Sequence, residues 1–232
     1  MPSSIPESDP GAANAPIGEP RFRVDELLTP AAFQHPATHI ELKQTHISWI
    51  VLTGHFAYKI KKPVRYDFID ASTLALRHAL CQEELRLNRR LATDLYLDIV
   101  PITRENGQLK MDGSGTPIEY AVRMHQFEAA QELATQLGQG TVTPHDMDVF
   151  ASRLADWHAR AAAAPQDVAY GSFECVQEQM SENFGVLRAH LKETKALDEL
   201  EKLMRWTRDS LARWRPLIES RKRSGFVREC HG

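Results

Sequence analysis

Two residues of opposite charge, Lys59 and Glu84, occur where a strand and the helix after it could bring them together. Lys59 lies in residues 56–62, an alternating run after a short Gly-containing turn, which predicts the second strand of a hairpin. Glu84 lies in residues 72–91, where leucines recur at helical spacing and Ser72 is the predicted N-cap. A strand lysine held by a helix carboxylate can neutralise the charge of a bound phosphate.

Each residue also has a simpler interpretation. Lys61 and Lys62 follow Lys59, and a basic strand edge discourages pairing with the strands of other molecules. Glu83 precedes Glu84, and helical geometry turns its side chain about 100° away from that of Glu84. Taken singly, a strand lysine and a helix glutamate favour solvated surface charge. The order of the surrounding elements decides between the two interpretations.

The patterning divides the chain into a part with strands and a part with helices only. Residues 1–20, rich in Pro, Ser, Ala and Gly, predict a disordered leader. Short helices are predicted near residues 24–28 and 30–33, and strands at 39–43, 49–52, 56–60, 99–103, 108–111 and 118–124. Further helices are predicted at 131–137, 144–163, 172–191 and 196–221, with Thr143 and Ser172 as N-caps. Strands with one embedded helix, then helices only, predict a two-lobe α+β fold.

The sequence from residue 41 to residue 232 resembles the aminoglycoside-phosphotransferase branch of the protein-kinase-like family. It is most similar to bacterial proteins in which such a domain precedes a P-loop kinase-like domain. The resemblance implies that Lys59 binds the phosphates of ATP and that Glu84 is its ion-pair partner. It also implies that Met124 begins the hinge, where backbone groups of residues 124–126 face adenine.

The same resemblance assigns domains and cofactors. It implies a nucleotide-binding N-lobe at residues 21–125, with an antiparallel sheet and one helix, and an incomplete helical C-lobe at residues 126–232. Residues 154–158 resemble a helix of that C-lobe, and residues 226–232 resemble the approach to its catalytic loop. ATP and Mg²⁺ are the implied cofactors, and the implied acceptor is a small-molecule hydroxyl that the sequence does not identify.

The chain departs from the family pattern in its nucleotide loop. Thr45 and Ser48 occupy the place of that loop, yet no glycine occurs between Lys43 and Thr53. Close backbone approach to a phosphate is easiest at glycine. We therefore expect the hydroxyl groups of Thr45 and Ser48, together with backbone N–H groups, to contact the phosphates.

The second departure concerns catalysis. The Asp that follows His231-Gly232 in the family and the magnesium-binding Asn and Asp beyond it do not occur in this chain, so no catalytic or metal-binding residue is assigned. We predict a nucleotide-binding half without efficient phosphoryl transfer. The alternative is a non-catalytic nucleotide-binding or interaction module, or a truncated gene product, that associates through exposed faces of Trp157, Leu187 and Trp206.

Composition excludes several other classes. The chain has 28 Lys and Arg against 31 Asp and Glu, so no positive field attracts nucleic acid. Its apolar stretches are too short to span a bilayer. Three cysteines without metal-site spacing fit a reducing cytoplasm. We therefore predict a cytoplasmic protein that binds neither nucleic acid nor membrane.

A few other residues are candidates for binding or packing. His35 and His39 have metal-ligand spacing, but Pro36 between them argues against the helix that this spacing needs. His125 is interpreted as a surface residue in preference to a pocket-lining one. The helical tryptophans are predicted to pack in the core: Trp157, Trp206 and Trp214.

Overall fold

The computed structural model describes residues 22–66 and 68–230, which divide into two compact units between Glu132 and Leu133. The first unit contains a mixed set of strands and helices, and the second contains helices. The α+β class predicted from the sequence is therefore confirmed. The predicted leader at residues 1–20 lies outside the described residues, as do His231 and Gly232.

Six strands of the first unit form one antiparallel sheet in the order β1-β2-β3-β8-β6-β7. Their bounds are β1 Glu41–Gln44, β2 Ser48–Leu52, β3 Phe56–Lys61, β6 Tyr96–Glu105, β7 Gln108–Met111 and β8 Pro117–His125. A separate two-stranded pair, β4 Arg65–Tyr66 and β5 Ile69–Asp70, was not predicted. The two short helices predicted at the start of the chain are 3-10 turns at Val24–Leu27 and Pro30–Ala32.

The hairpin of β2 and β3 has a turn held by a residue distant in sequence. Gly54 has φ +88°, a left-handed conformation that glycine adopts without strain. The side chain of Gln126, which follows β8, accepts hydrogen bonds from the backbone N–H groups of Thr53 at 3.0 Å and Gly54 at 2.9 Å. The turn is thereby tied to the end of β8.

Strand alternation gives β3 two chemically different faces. Tyr58 and Ile60 point into the hydrophobic core, where residues of the N-terminal segment such as Leu27 and Phe33 pack. Lys59 and Lys61 point to the other face. Helix α1, Leu74–Asn88, packs against that second face.

Helix α1 begins one residue later than the sequence predicted. Its N-cap is Thr73, whose side chain accepts a hydrogen bond from the N–H of Leu76 at 3.2 Å. The assignment of Ser72 as the cap was wrong, because the Ser72 hydroxyl donates to Asp70 instead, at 2.6 Å. Ser72 and Thr73 are adjacent residues with hydroxyl groups, so the sequence pattern alone does not show which of them is the cap.

A buried ion pair also ties α1 to the sheet. The Arg77 guanidinium donates from Nε to Glu119 on β8 at 2.8 Å and from Nη1 to the Ala71 carbonyl at 3.0 Å. Arg77 and Cys81 are the buried residues of α1. The contact of the helix with the sheet therefore includes a buried ion pair.

The second unit consists of helices α2 Leu133–Gly138, α3 Pro144–Arg160, α4 Phe173–His190 and α5 Thr194–Arg223. The predicted N-caps are confirmed: Thr143 accepts from the N–H of Asp146, and Ser172 accepts from the N–H of Cys175. No helix in residues 22–66 and 68–230 has both the length and the apolar character needed to cross a membrane.

The prediction of core tryptophans was wrong for α5. Trp206 is 67% exposed and Trp214 is 50% exposed, whereas Leu200 and Thr207 are the buried residues of this helix. Helix α5 packs on α4. Trp206 lies about 120° around the helix axis from Leu200, whereas Trp214 lies in the same stripe as Leu200 and Thr207 and is still half exposed. Leucine at helical spacing therefore indicated an apolar stripe, but it did not indicate which part of the helix surface is covered.

We predict that Thr73→Ala lowers the free energy of unfolding by about 1 kcal/mol, because the first turn of α1 loses its capping oxygen. The matched control is Ser72→Ala, for which we expect a loss below about 0.5 kcal/mol. Urea denaturation of both variants measures the difference. An equal or larger loss for Ser72→Ala would contradict the assignment of Thr73 as the cap.

Candidate functional site

The structure brings Lys59 and Glu84 into direct contact. Lys59 on β3 donates from Nζ to Oε1 of Glu84 on α1 at a distance of 2.7 Å. The hairpin register of β3 turns Lys59 toward α1, and Glu84 lies on the surface of α1 that faces the sheet. The contact suggested by the order of the elements is therefore present. Its role in binding a nucleotide stays a prediction.

A second lysine, Lys61, donates to the other carboxylate oxygen of Glu84. Sequence reasoning interpreted Lys61 as part of a basic strand edge and did not place it in a site. The signal that could have identified it is its spacing of two residues from Lys59, which puts both side chains on one face of a strand. We call these three residues the Lys-Glu-Lys cluster.

The Lys-Glu-Lys cluster carries a net positive charge. Burial opposes ionisation of Glu84, but the ammonium groups of Lys61 and Lys59 outweigh it and hold the pKa of this carboxyl below its ordinary value. Two ammonium groups then share one carboxylate. The neighbouring ion pair of Arg77 and Glu119 is balanced, so it does not supply the missing negative charge.

Two further ionisable side chains near Glu84, those of Cys81 and Tyr96, are uncharged at neutral pH. Burial raises the pKa of the Cys81 thiol to about 12, so it is protonated at neutral pH. Burial, reinforced by the charge of Glu84, also raises the pKa of Tyr96 on β6. The excess positive charge of the cluster is consequently not cancelled by either residue, and an anion would be attracted to it.

The predicted nucleotide-loop residues lie in the turn between β1 and β2. The Thr45 hydroxyl accepts hydrogen bonds from the N–H groups of Ser48 at 3.0 Å and Ile47 at 3.4 Å, and the Thr45 N–H donates to the Ser48 carbonyl at 2.9 Å. Backbone donors that sequence analysis reserved for a phosphate are thus engaged within the turn. A phosphate contact there would have to replace these hydrogen bonds.

Ser48 occupies a different environment from Thr45. It stands directly opposite Lys61 in the pairing of β2 with β3, and its side chain is fully buried. Its hydroxyl has no hydrogen-bond partner among the described residues. Ser48 therefore lies on the same sheet face as the Lys-Glu-Lys cluster, with an unsatisfied polar atom close to a strand lysine.

Met124 also lies on this face. It pairs with Ala57 on β3 and is half-buried, one strand away from the position of Lys59. The N–H groups of the next two residues are already engaged: His125 donates to Leu95 at 2.9 Å and Gln126 donates to His55 at 3.0 Å. An adenine contact at residues 124–126, as predicted from the sequence, would have to use backbone groups other than these two N–H groups.

The histidines considered as ligands lie elsewhere. One ring nitrogen of His35 is 3.0 Å from the Tyr58 hydroxyl, and the other is 2.9 Å from the Pro36 carbonyl oxygen. His125 is exposed and stacks on Phe56, on the sheet face opposite to Lys59. Within residues 22–66 and 68–230 no group of three His, Cys, Asp or Glu residues could hold a metal ion.

Two cavities of the molecule do not belong to this cluster. One of about 260 Å³ lies between α4 and α5, and one of about 240 Å³ lies beside Phe33, Gln34 and Lys110. None of the cluster residues lines either cavity. The candidate site is therefore defined by its charges and by the sheet face that carries them.

Comparison with known proteins finds relatives without an assigned activity. The chain is 30% identical over 200 residues to the uncharacterized protein Rv2004c of Mycobacterium tuberculosis and to the uncharacterized protein Mb2027c of Mycobacterium bovis. Each match covers 85% of this chain but only 39% of the relative. The chain thus spans about two fifths of the length of the curated relatives it matches. No protein-family model matches the chain, and no solved structure matches it significantly.

We predict that Glu84→Gln lowers the free energy of unfolding by about 3 kcal/mol, because it leaves the buried ammonium group of Lys61 without a counter-charge. Glu83→Gln is the matched control: Glu83 is exposed and pairs with Arg86, so its loss should cost below about 0.5 kcal/mol. Denaturant unfolding of both variants measures the contrast. Equal effects would show that the cluster does not anchor α1.

A second prediction concerns pH. The folded pKa of Glu84 is below its ordinary value of 4.5, so its ionised form stabilises the protein above that pH and the stabilisation disappears as the pH falls. The difference in unfolding free energy between wild type and Glu84→Gln should therefore be largest at neutral pH. We expect it to shrink as the pH is lowered through the folded pKa of Glu84, which lies below 4.5, measured by denaturant unfolding from neutral to acidic pH. A difference independent of pH would contradict the ionised state of Glu84.

Proposed function

We propose that this chain provides the nucleotide-binding part of a protein-kinase-like phosphotransferase similar to the aminoglycoside-phosphotransferase family. The observation that carries the proposal is the contact of Lys59 with Glu84, which joins β3 to α1. In this proposal the first unit is the N-lobe and the helical unit after it is part of the C-lobe. The reducing cytoplasm is the proposed location.

The topology supports this proposal. Along the chain, helix α1 comes after β3 and before β6, which belong to one antiparallel sheet. In space it packs on the sheet face that carries Lys59. A helical unit follows. This is the arrangement that the resemblance implies: an antiparallel N-lobe sheet with one helix, then a helical lobe.

The electrostatics of the cluster favour a phosphorylated ligand. The Lys59 side chain is 26% exposed, so its ammonium group is accessible to a ligand on the α1 face of the sheet. One positive charge of the cluster is uncompensated, and the phosphates of a nucleotide would supply the missing negative charge. The lysine would bind the α- and β-phosphates while Glu84 orients it.

The proposal for this chain is limited to binding. The described residues offer no carboxylate cluster that fits Mg²⁺. Phosphoryl transfer to a small-molecule hydroxyl is proposed only for a longer protein that contains such a domain.

A second candidate function is that of a non-catalytic interaction module. It is favoured by exposed apolar side chains in the helical unit, where Trp206 is 67% exposed and Leu187 is 45% exposed. Trp157, the third residue considered for this role, is half-buried. This candidate requires no nucleotide, so an experiment with ATP separates it from the first.

We predict that ATP with magnesium at roughly 5 mM raises the melting temperature of the wild type by about 3 °C or more, because a ligand that binds only the folded state stabilises it. Lys59→Met should reduce this shift below about 1 °C by removing the phosphate-binding charge. Differential scanning fluorimetry measures both values.

The matched control is Lys62→Met. Lys62 contacts Gln44 and lies over the Trp49 ring, away from the cluster, so its loss should leave the ATP-dependent shift unchanged. The absence of a shift in the wild type would count against nucleotide binding and favour the interaction module. An unchanged shift in Lys59→Met would place the nucleotide elsewhere.

A further inference from the structure

We infer that Lys61 is a positioning residue for the Lys59–Glu84 pair: it holds the Glu84 carboxylate in place, so that Lys59 can turn to an anionic ligand without leaving Glu84 unpaired. The ligand in this inference rests on the proposed function. The effect of Lys61 on Glu84 does not, since it can be measured without a ligand.

The first support is the division of the carboxylate between the two lysines. Lys59 donates to Oε1 of Glu84, and Lys61 donates to Oε2. Each oxygen atom holds one ammonium group, so the two contacts do not compete for one acceptor. A ligand that weakens the contact of Lys59 with Glu84 would therefore leave the contact of Lys61 intact.

The second support is the different burial of the two lysines. The side chain of Lys61 is only 7% exposed, whereas that of Lys59 is 26% exposed. A buried ammonium group needs a counter-charge, and Glu84 is the one carboxylate that the described residues place within ion-pair distance of Lys61. Lys61 is therefore held in the cluster, and Lys59 is the lysine that a ligand can reach.

The third support is the charge of the groups near Glu84 on β3, β6 and α1. Lys59 and Lys61 face it from β3, while Tyr96 on β6 and Cys81 on α1 are its neighbours with raised pKa values and are uncharged at neutral pH. Without Lys61, Lys59 would be the sole counter-charge of Glu84. The carboxylate and the ligand would then compete for one ammonium group, and the cluster would lose its positive excess.

A titration of the free protein tests the effect on Glu84. Carbon-13 NMR of glutamate side-chain carboxyls follows the Glu84 signal, which is assigned by its disappearance in Glu84→Gln. We expect Lys61→Met to raise the pKa of Glu84 and Lys61→Arg to keep it near the wild-type value, because Arg restores the charge. Lys59→Met should raise it less, since Lys59 is more exposed.

A binding experiment tests the effect on the ligand. Isothermal titration calorimetry compares ATP with adenosine, which lacks the phosphates. We expect Lys61→Met to weaken ATP binding by about tenfold and to change adenosine binding by less than about twofold. Lys61→Arg should recover most of the ATP affinity.

The outcomes separate the two proposals. If wild-type protein does not bind ATP, the proposed function fails, while the NMR titration still decides the role of Lys61. If Lys61→Met leaves the pKa of Glu84 unchanged, or if Lys61→Arg behaves like Lys61→Met in both experiments, the positioning role is overturned. Lys61→Gln serves as the neutral variant if Lys61→Met does not fold.

Discussion

The arrangement of helix and sheet in the first unit depends on one carboxylate, that of Glu84, which stays ionised although it is packed against the sheet. Glu84 on α1 is largely buried, and it stays charged because Lys59 and Lys61 face it from one strand. Arg77, two helical turns earlier, forms a buried ion pair with Glu119 on β8. Helix α1 is thus attached at two points along its length by charged contacts, and these contacts fix its register on the sheet. The position of Glu84 on α1 therefore determines which part of the β3 face forms the candidate site.

Sequence patterns suggested the pairing of Lys59 with Glu84 through the order of strand, turn and helix and through the family resemblance, because each residue taken singly favoured solvated surface charge. Alternation along the strand indicates which face Lys59 occupies. The leucine spacing predicted α1 but not its buried face, since Leu76 is 39% exposed whereas Arg77 and Cys81 are buried. Lys61 could not be assigned in the same way. A run of lysines at the end of a strand has the composition of a solvated edge, and only the packing of α1 shows that Lys61 is covered. The exposure of Trp206 was missed for a related reason, since the pattern of α5 does not say which stripe meets α4.

The turn between β1 and β2 is stabilised by hydrogen bonds among its own residues. Thr45 satisfies the backbone N–H groups of the turn with its own hydroxyl, which makes the turn self-contained. Because these N–H groups are engaged within the turn, few of them remain to donate a hydrogen bond to a ligand. At the other side of the sheet face, the N–H groups after Met124 are also engaged. The Lys-Glu-Lys cluster is therefore the part of this face whose charge is least satisfied internally, and the function proposed for the chain rests on it.

The attachment of α1 through charges has a thermal consequence. Exposure of apolar surface raises the heat capacity of a protein, whereas exposure of polar surface lowers it. Separation of α1 from the sheet would expose both kinds of surface, because Arg77, Glu84, Glu119 and Lys61 lie in the contact. The two contributions partly cancel, so the enthalpy of this local opening would change little with temperature. Exposure of the apolar core around Tyr58 and Ile60 would have the stronger temperature dependence, because hydrophobic stabilisation weakens on cooling.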